Sequence, residues 1–270
     1  MILMGVVNLT PDSFFAESRA GSVDAAAARI RELLDRDCSI IDLGAVSTRP
    51  GAPDVSADEE WRRLAPVLHW AAAEKFLRNP ATLGEVRGGT VQGGNRPERW
   101  GRAKRDVPEG LFPPLSIDTT RAEIVRRAYG VVGRFIVNDI SAGEDDPEML
   151  STVAELGLPY VAMHKRGNPR TMDALCDYPR GVVAELDAYF GAFAEKARTL
   201  GIVDWILDPG FGFAKTEEQN WELLENLGAF RHFGRPILAG VADKRFTRRL
   251  GTAYAERLAG ERGADILRIH

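Results

Sequence analysis

Eight short apolar runs, each followed by a stretch of helical periodicity, constrain this 270-residue chain most. The runs span residues 2–7, 39–43, 115–117, 135–137, 160–163, 205–207, 237–241 and 264–269. Most place β-branched or aliphatic residues on consecutive positions, as strands covered on both faces do. Helical patterns fill most gaps. Ile30, Leu33 and Leu34 share a face in 23–36, and Trp61, Leu64, Val67 and Leu68 share one in 57–76. Further helices are predicted over 121–129 behind a Thr119-Thr120 cap, over 146–156 opened by Asp146-Pro147, and over 180–200 closed by Gly201. A Thr216/Gln219 capping box opens the one over 216–227. Strand alternating with helix means parallel βαβ units, and eight strands predict a (β/α)8 TIM barrel, one domain over residues 1–270.

Three stretches depart from an ideal barrel. Residues 78–109 hold six glycines, seven Arg or Lys and four acids without periodicity, which predicts a flexible basic loop inserted before strand three. Residues 246–263 are short for a full seventh helix with its connections. The sequence ends at His270, at the close of strand eight, so the last helix is missing from the pattern and an apolar flank is expected to be uncovered.

Composition narrows the function classes. A net charge of −4 argues against a general nucleic-acid binder. The two cysteines, Cys38 and Cys176, make no disulfide scaffold and no CxxC zinc site, so a reducing cytoplasm is the expected setting. The apolar N-terminus lacks a basic leader, and no run approaches the roughly 20 residues of a membrane span.

The strand ends carry the chemistry. They are Asn8, Asp42, Asp118, Asn138-Asp139, His164, Asp208, Lys244 just past strand seven, and Arg268 with His270. In a parallel barrel these positions open on one face, where active sites sit. Acids after strands also cap helices, which accounts for one or two of them. It does not account for Asn, Asp, His, Lys and Arg together.

Several strand-end loops form ordered motifs. Asn8 to Phe14 reads N-L-T-P-D-S-F, Ser47 to Gly51 reads S-T-R-P-G, and Asp118-Thr119 follows strand three. Asn138 to Gly143, Met163 through Met172, Asp208 to Thr216 (D-P-G-F-G-F-A-K-T) and Arg268-Ile269-His270 complete the series. In this order the motifs resemble the dihydropteroate synthases, folate-pathway enzymes of the pterin-binding barrel family. The resemblance covers the chain outside 78–109, and residues 14–19 are similar to the Bacteroidetes-type version of the first loop.

The resemblance implies a transferase that condenses 6-hydroxymethyl-7,8-dihydropterin diphosphate with p-aminobenzoate, releasing diphosphate, with Mg²⁺ assisting. It assigns Asp118, Asn138, Asp208 and Lys244 to the pterin, and Thr48, Arg49, Pro50, Phe213 and Lys215 to the p-aminobenzoate pocket, with Phe14 closing it. Arg268 and His270 take the diphosphate and, with Lys244, the catalytic roles. Asn8 takes the metal, and His164 is either structural or a substrate contact. The residue types suit this: a pterin edge presents N–H donors that want carboxylate and amide partners, and a guanidinium fork suits phosphate oxygens. Hydrated Mg²⁺ carried on phosphates needs little more than one side-chain oxygen. The family also implies a homodimer through late-barrel helices.

The pattern breaks at the family's S-R-K-S-F, which is Ala242-Asp243-Lys244-Arg245-Phe246 here. Ala242 cannot donate a hydrogen bond and Asp243 reverses a charge. Ala45-Val46 stands where many members have Gly-Glu, and Ala16 where they have aspartate. Two readings follow: a working synthase, or a pterin-binding barrel protein with little or no synthase activity. The related methyltetrahydrofolate methyltransferases share the barrel, but the T-P-D-S-F, S-T-R-P-G and R-I-H motifs argue against them.

Overall fold

A computed structural model describes residues 1–10, 19–47, 54–73, 115–168 and 171–270. The predicted insertion at 78–109 lies outside these residues.

Eight parallel strands form the sheet: β1 (Ile2–Asn8), β2 (Cys38–Gly44), β3 (Leu115–Asp118), β4 (Ile136–Asp139), β5 (Tyr160–Met163), β6 (Trp205–Asp208), β7 (Leu238–Ala239) and β8 (Ile266–Ile269). Their order is β6-β5-β4-β3-β2-β1-β8-β7, and a parallel bridge between Leu207 and Ile237 brings β6 against β7. The sheet therefore curls into a nearly closed (β/α)8 barrel. Helices α1 (Arg19–Asp35), α2 (Ala57–Ala73), α3 (Ala122–Val132), α4 (Met149–Leu156), α5 (Val182–Leu200), α6 (Glu217–Glu225) and α7 (Thr252–Arg262) alternate with the strands.

Two predicted stretches shift. The region 246–263 accommodates both a 3₁₀ turn, Arg245–Arg248, and the 11-residue α7, so it is not short of a seventh helix. Helix α4 begins at Met149 rather than at Asp146. The Asp146 carboxylate accepts the Glu148 amide at 2.9 Å and, from α3, the Ala122 amide at 2.7 Å. That bond does for α3 what the Thr119-Thr120 cap was expected to do. The capping box on α6 is present as predicted, with Thr216 and Gln219 satisfying each other's backbone amides.

The interior explains the site. Met4, Ile40, Ile136, Val161, Ile206, Leu238 and Ile266 plug the barrel, one from every strand but β3. Side chains on a strand alternate faces with period two. Two residues past each plug the chain again faces inward, now at the C-terminal mouth. Those residues are Val6, Asp42, Asn138, Met163, Asp208, Gly240 and Arg268. Outside the strands, Leu33, Leu68, Ile124, Val153, Phe190, Leu224 and Leu258 pack the helices against the barrel. No helix among the described residues is long and apolar enough to cross a membrane.

Candidate active site

Three of these inward positions meet at the mouth, joined there by Asp118 of β3. Arg268 on β8 lays its Nε and one Nη nitrogen against Asp42 Oδ2 on β2, both at 2.8 Å. The same Nη nitrogen reaches Asp118 Oδ2 on β3 at 3.2 Å. Asn138 on β4 donates its Nδ2 to Asp42 Oδ2 at 3.1 Å. Asp42 is fully buried, while Arg268 and Asp118 keep about a fifth of their side-chain surface exposed, 21% and 18%. Gly44 leaves room on the near side: a Cβ there would come within 3.6 Å of Asp118 Oδ2 and 3.8 Å of Asn8 Oδ1. Asn8 and Asp118 thus flank one small space.

The loop after β6 supplies the opposite wall. It turns through positive φ at Gly210 (68°), Gly212 (80°) and Ala214 (49°). The Gly210 amide donates to Asp208 Oδ1 at 2.8 Å and pins the carboxylate. Phe213 is half-buried, and Lys244 Nζ stands 5.0 Å from its ring centroid. Lys215, assigned by resemblance to the p-aminobenzoate pocket, makes its contacts within the loop and to the end of β5. Its ammonium is buried beneath the loop, 4% exposed, and engaged by Gly210 O at 3.0 Å, Phe213 O at 2.9 Å and His164 Nδ1 at 3.1 Å.

Charge is crowded here. Burial and the neighbouring Asp42 push Asp118 up to about 7, against the pull of Arg268. Burial also raises Asp208, opposed by the Gly210 amide and by Lys244 and Arg268. Lys244 is lowered by burial and by Arg268. Burial works against Arg268 too, but Asp42 and Asp118 outweigh it and hold the guanidinium more firmly protonated. Paired cations and acids around a recess of amide and carboxylate suit a flat heterocycle bearing both N–H donors and an anionic arm.

His270 is exposed two residues past Arg268, and its carbonyl accepts from Arg36 Nη1 at 3.2 Å. Thr48, Arg49, Pro50 and Phe14 lie outside the described residues. Asp139 turns away from the mouth to tie its own loop, accepting from the Ser141 hydroxyl and amide, the Gly143 amide and the Tyr160 hydroxyl at 2.6–2.9 Å. Asp243 is exposed with φ 54°, and its amide donates to Thr252 Oγ1 at 3.4 Å. Arg245 does not offset it at the mouth: its guanidinium pairs with Asp173 at 3.4 Å on the exposed rim.

Sequence reasoning assigned no role to Asp42, although its place two residues past the buried Ile40 is the signal that marks it. Nor did it find Glu60 on α2, 1% exposed, which accepts from Thr119 Oγ1 at 2.6 Å and pairs with Arg121. That pair spans α2 and the loop after β3, a contact between distant segments with no local pattern to betray it.

The chain matches the family described as pterin binding enzyme over residues 4–78 and 105–270. It is 35% identical to the dihydropteroate synthase of Synechocystis over 99% of this chain and 84% of that one. It is 34% identical to that of Escherichia coli K12, over 99% and 86%. Among solved structures it is similar to Xanthomonas albilineans dihydropteroate synthase with 4-aminobenzoic acid, with a TM-score of 0.76 and 32% identity over 100% of this chain and 87% of that one. The Thermus thermophilus enzyme in complex with 4-aminobenzoate gives 0.74 and 33% over 100% and 88%. A barrel whose mouth gathers these residues, aligned end to end with such relatives, belongs to the pterin-binding enzymes, and within them to the dihydropteroate synthases.

Proposed function

We infer that this chain condenses 6-hydroxymethyl-7,8-dihydropterin diphosphate with p-aminobenzoate, giving 7,8-dihydropteroate and diphosphate. The observation that carries the reading is the polar floor of Asp118, Asn138, Asp208 and Arg268 at the mouth of a barrel aligned over 99% of its length with dihydropteroate synthases. In this reading Asp118, Asn138 and Asp208 receive the N–H edge of the pterin, and Lys244 meets its carbonyl. The diphosphate arm lies toward Arg268 and His270. Arg268 makes no hydrogen bond from Nη1 among the described residues, which leaves donors for phosphate oxygens. The C–O bond at the pterin methylene breaks, the electron pair leaves with diphosphate, and the p-aminobenzoate amine forms the new C–N bond and then loses a proton. Fixed positive charge at the departing diphosphate is the main catalytic contribution of the protein. Phe213 and Lys244 wall the p-aminobenzoate side, and Thr48, Arg49 and Pro50 belong to it by resemblance.

Mg²⁺ fits this residue set as an ion carried on the diphosphate. No group of three or more His, Cys, Asp or Glu among the described residues could hold a resident ion. Asn8, beside Asp118 across Gly44, offers the single side-chain oxygen a hydrated Mg²⁺ needs. When bound, the ion would neutralise leaving-group charge.

The cytoplasm is the proposed setting, in keeping with two free thiols, Cys38 and Cys176. A homodimer is proposed through the α7 side, where Leu250 and Tyr254 are exposed, and light scattering tests it.

The direct test is diphosphate release with Mg²⁺, with and without p-aminobenzoate. Release that depends on p-aminobenzoate and yields dihydropteroate is the expected result. Pterin binding without such release would instead favour the barrel protein lacking synthase activity.

A pH prediction follows from Asp118. Its ordinary value is 3.8 and its folded value about 7, so the folded chain keeps a proton that the unfolded chain has lost between those limits. This group's contribution to stability therefore falls as pH rises from about 4 to about 7. Pterin binding runs the other way, because only the ionised carboxylate accepts two N–H donors. Affinity for 6-hydroxymethylpterin should climb up to about tenfold per pH unit below about 7 and level off above it. Titration calorimetry across that range checks this, and Asp118→Asn should flatten the curve. A profile already flat in the wild type would refute the assignment.

A further inference from the structure

We propose that Lys215 is a positioning residue that nails the 208–216 loop onto the end of β5, and through that loop places Asp208 and Phe213. It does not itself bind p-aminobenzoate. The inference rests on the pterin-binding reading above.

The ammonium has three protons and three acceptors. Gly210 O, Phe213 O and His164 Nδ1 lie at 3.0, 2.9 and 3.1 Å. A lysine so engaged has no donor left for a substrate carboxylate. Two of its acceptors are backbone carbonyls inside the loop, and the third belongs to the residue that follows β5. The nail therefore joins two neighbouring strand ends of the barrel.

The rest of the loop depends on it. The Phe213 amide donates to Gly210 O at 3.1 Å, so one carbonyl takes both the turn bond and the ammonium. Tyr178 closes the loop from outside by donating to Ala214 O at 2.9 Å, where a non-glycine residue sits at φ 49°. Asn220 of α6 receives the Gly212 amide at 2.7 Å and donates back to Lys215 O at 3.2 Å. Asp208 lies at the loop's start, held by the Gly210 amide, and its backbone carbonyl accepts the His164 amide at 3.0 Å.

The His164 ring fits this role. It is 3% exposed and packs edge-on against Tyr189 with centroids 4.8 Å apart. Burial and the adjacent Lys215 push it down to about 2, so the ring stays neutral and its Nδ1 lone pair accepts. Burial takes Lys215 down to about 7, opposed by Asp208, as expected for a cation with no carboxylate in direct contact.

The test measures 6-hydroxymethylpterin affinity by calorimetry, which needs neither p-aminobenzoate nor turnover. Lys215→Met should weaken it by about tenfold or more, because Phe213 O loses its donor, Gly210 O keeps only the turn bond, and Asp208 moves with the loop. His164→Ala should weaken it to a smaller extent, and His164→Asn, which restores an acceptor, should recover part of the loss. The double variant should resemble Lys215→Met alone, because both changes break one tether. Unchanged pterin affinity in Lys215→Met, with a raised KM for p-aminobenzoate, would overturn the proposal. So would strictly additive effects of the two substitutions. If Lys215→Met does not fold by circular dichroism, the His164 pair decides: no difference between Ala and Asn overturns the proposal. A wild-type chain that binds the pterin but makes no dihydropteroate would sink the synthase reading and leave this test intact.

Discussion

Arg268→Met should lower kcat/KM by about 10³-fold or more while also destabilising the fold by roughly 3–5 kcal/mol. The two effects have separate causes. The first is the loss of the guanidinium that faces the leaving diphosphate. The second comes from Asp42, which is fully buried and takes two 2.8 Å contacts from Arg268. Without the arginine its carboxylate keeps, among the described residues, only the Asn138 amide at 3.1 Å, and its Oδ1 already has no partner there. A buried acid stripped of its cation is far worse than a buried pair. Asp42→Asn in the Arg268→Met background should therefore restore most of the stability and none of the activity. Urea denaturation of both variants beside the wild type measures the stability, and dihydropteroate formation the activity. Single and double variants of equal stability would show that Asp42 and Arg268 are not coupled as the geometry implies.

That pair also marks how far the sequence could be read. The strands were legible because each is an apolar run, and the site residues because a polar residue closes nearly every run and falls in an ordered loop motif. Asp118, Asn138 and Arg268 were found this way and are joined in space through Asp42. Asp42 was legible as a strand end too, yet an aspartate inside I-I-D-L-G gave no hint that it would receive an arginine 226 residues away. Ion partners across a barrel depend on which strands become neighbours and on their stagger, and neither is local. Lys215 shows the opposite limit. Its motif was legible, but whether a lysine in a tight loop faces a ligand or the loop's own carbonyls depends on backbone torsions. Gly210, Gly212 and Ala214 all adopt positive φ, and that winding turns the ammonium inward. At Asp243 a charge reversal was visible, but not that Arg245 would be drawn to Asp173 on the rim.

Gly210→Ala is the substitution for which backbone geometry predicts the heaviest loss of stability among the described glycines. Gly210 has φ 68°, and a Cβ built there would stand 2.0 Å from the carbonyl oxygen of His164. That oxygen belongs to backbone, held where the His164 amide donates to Asp208 O at 3.0 Å, so it cannot swing aside as a side chain can. Gly157 is the control. It closes α4 at φ 61° with no described atom within 4 Å of an added Cβ, so its alanine variant bears only the left-handed conformation, about 1–2 kcal/mol. Gly143 lies between: φ 81°, with Leu150 Cγ at 2.6 Å, a neighbour on a flexible side chain. Gly210→Ala should cost several-fold more than Gly157→Ala, on the order of 4 kcal/mol or more, because the loop must move off β5 to admit the methyl. Movement of the loop breaks the Gly210 amide bond to Asp208 and the Lys215 bond to Gly210 O together. Pterin affinity should then fall in the same variant, whereas Gly157→Ala, at the far end of a helix, should leave it untouched. Denaturation midpoints and a pterin titration on the three alanine variants test this ordering. A Gly210→Ala variant no less stable than Gly157→Ala would mean that the loop has slack at the point where it meets His164. A tether at Lys215 would then have nothing rigid to hold.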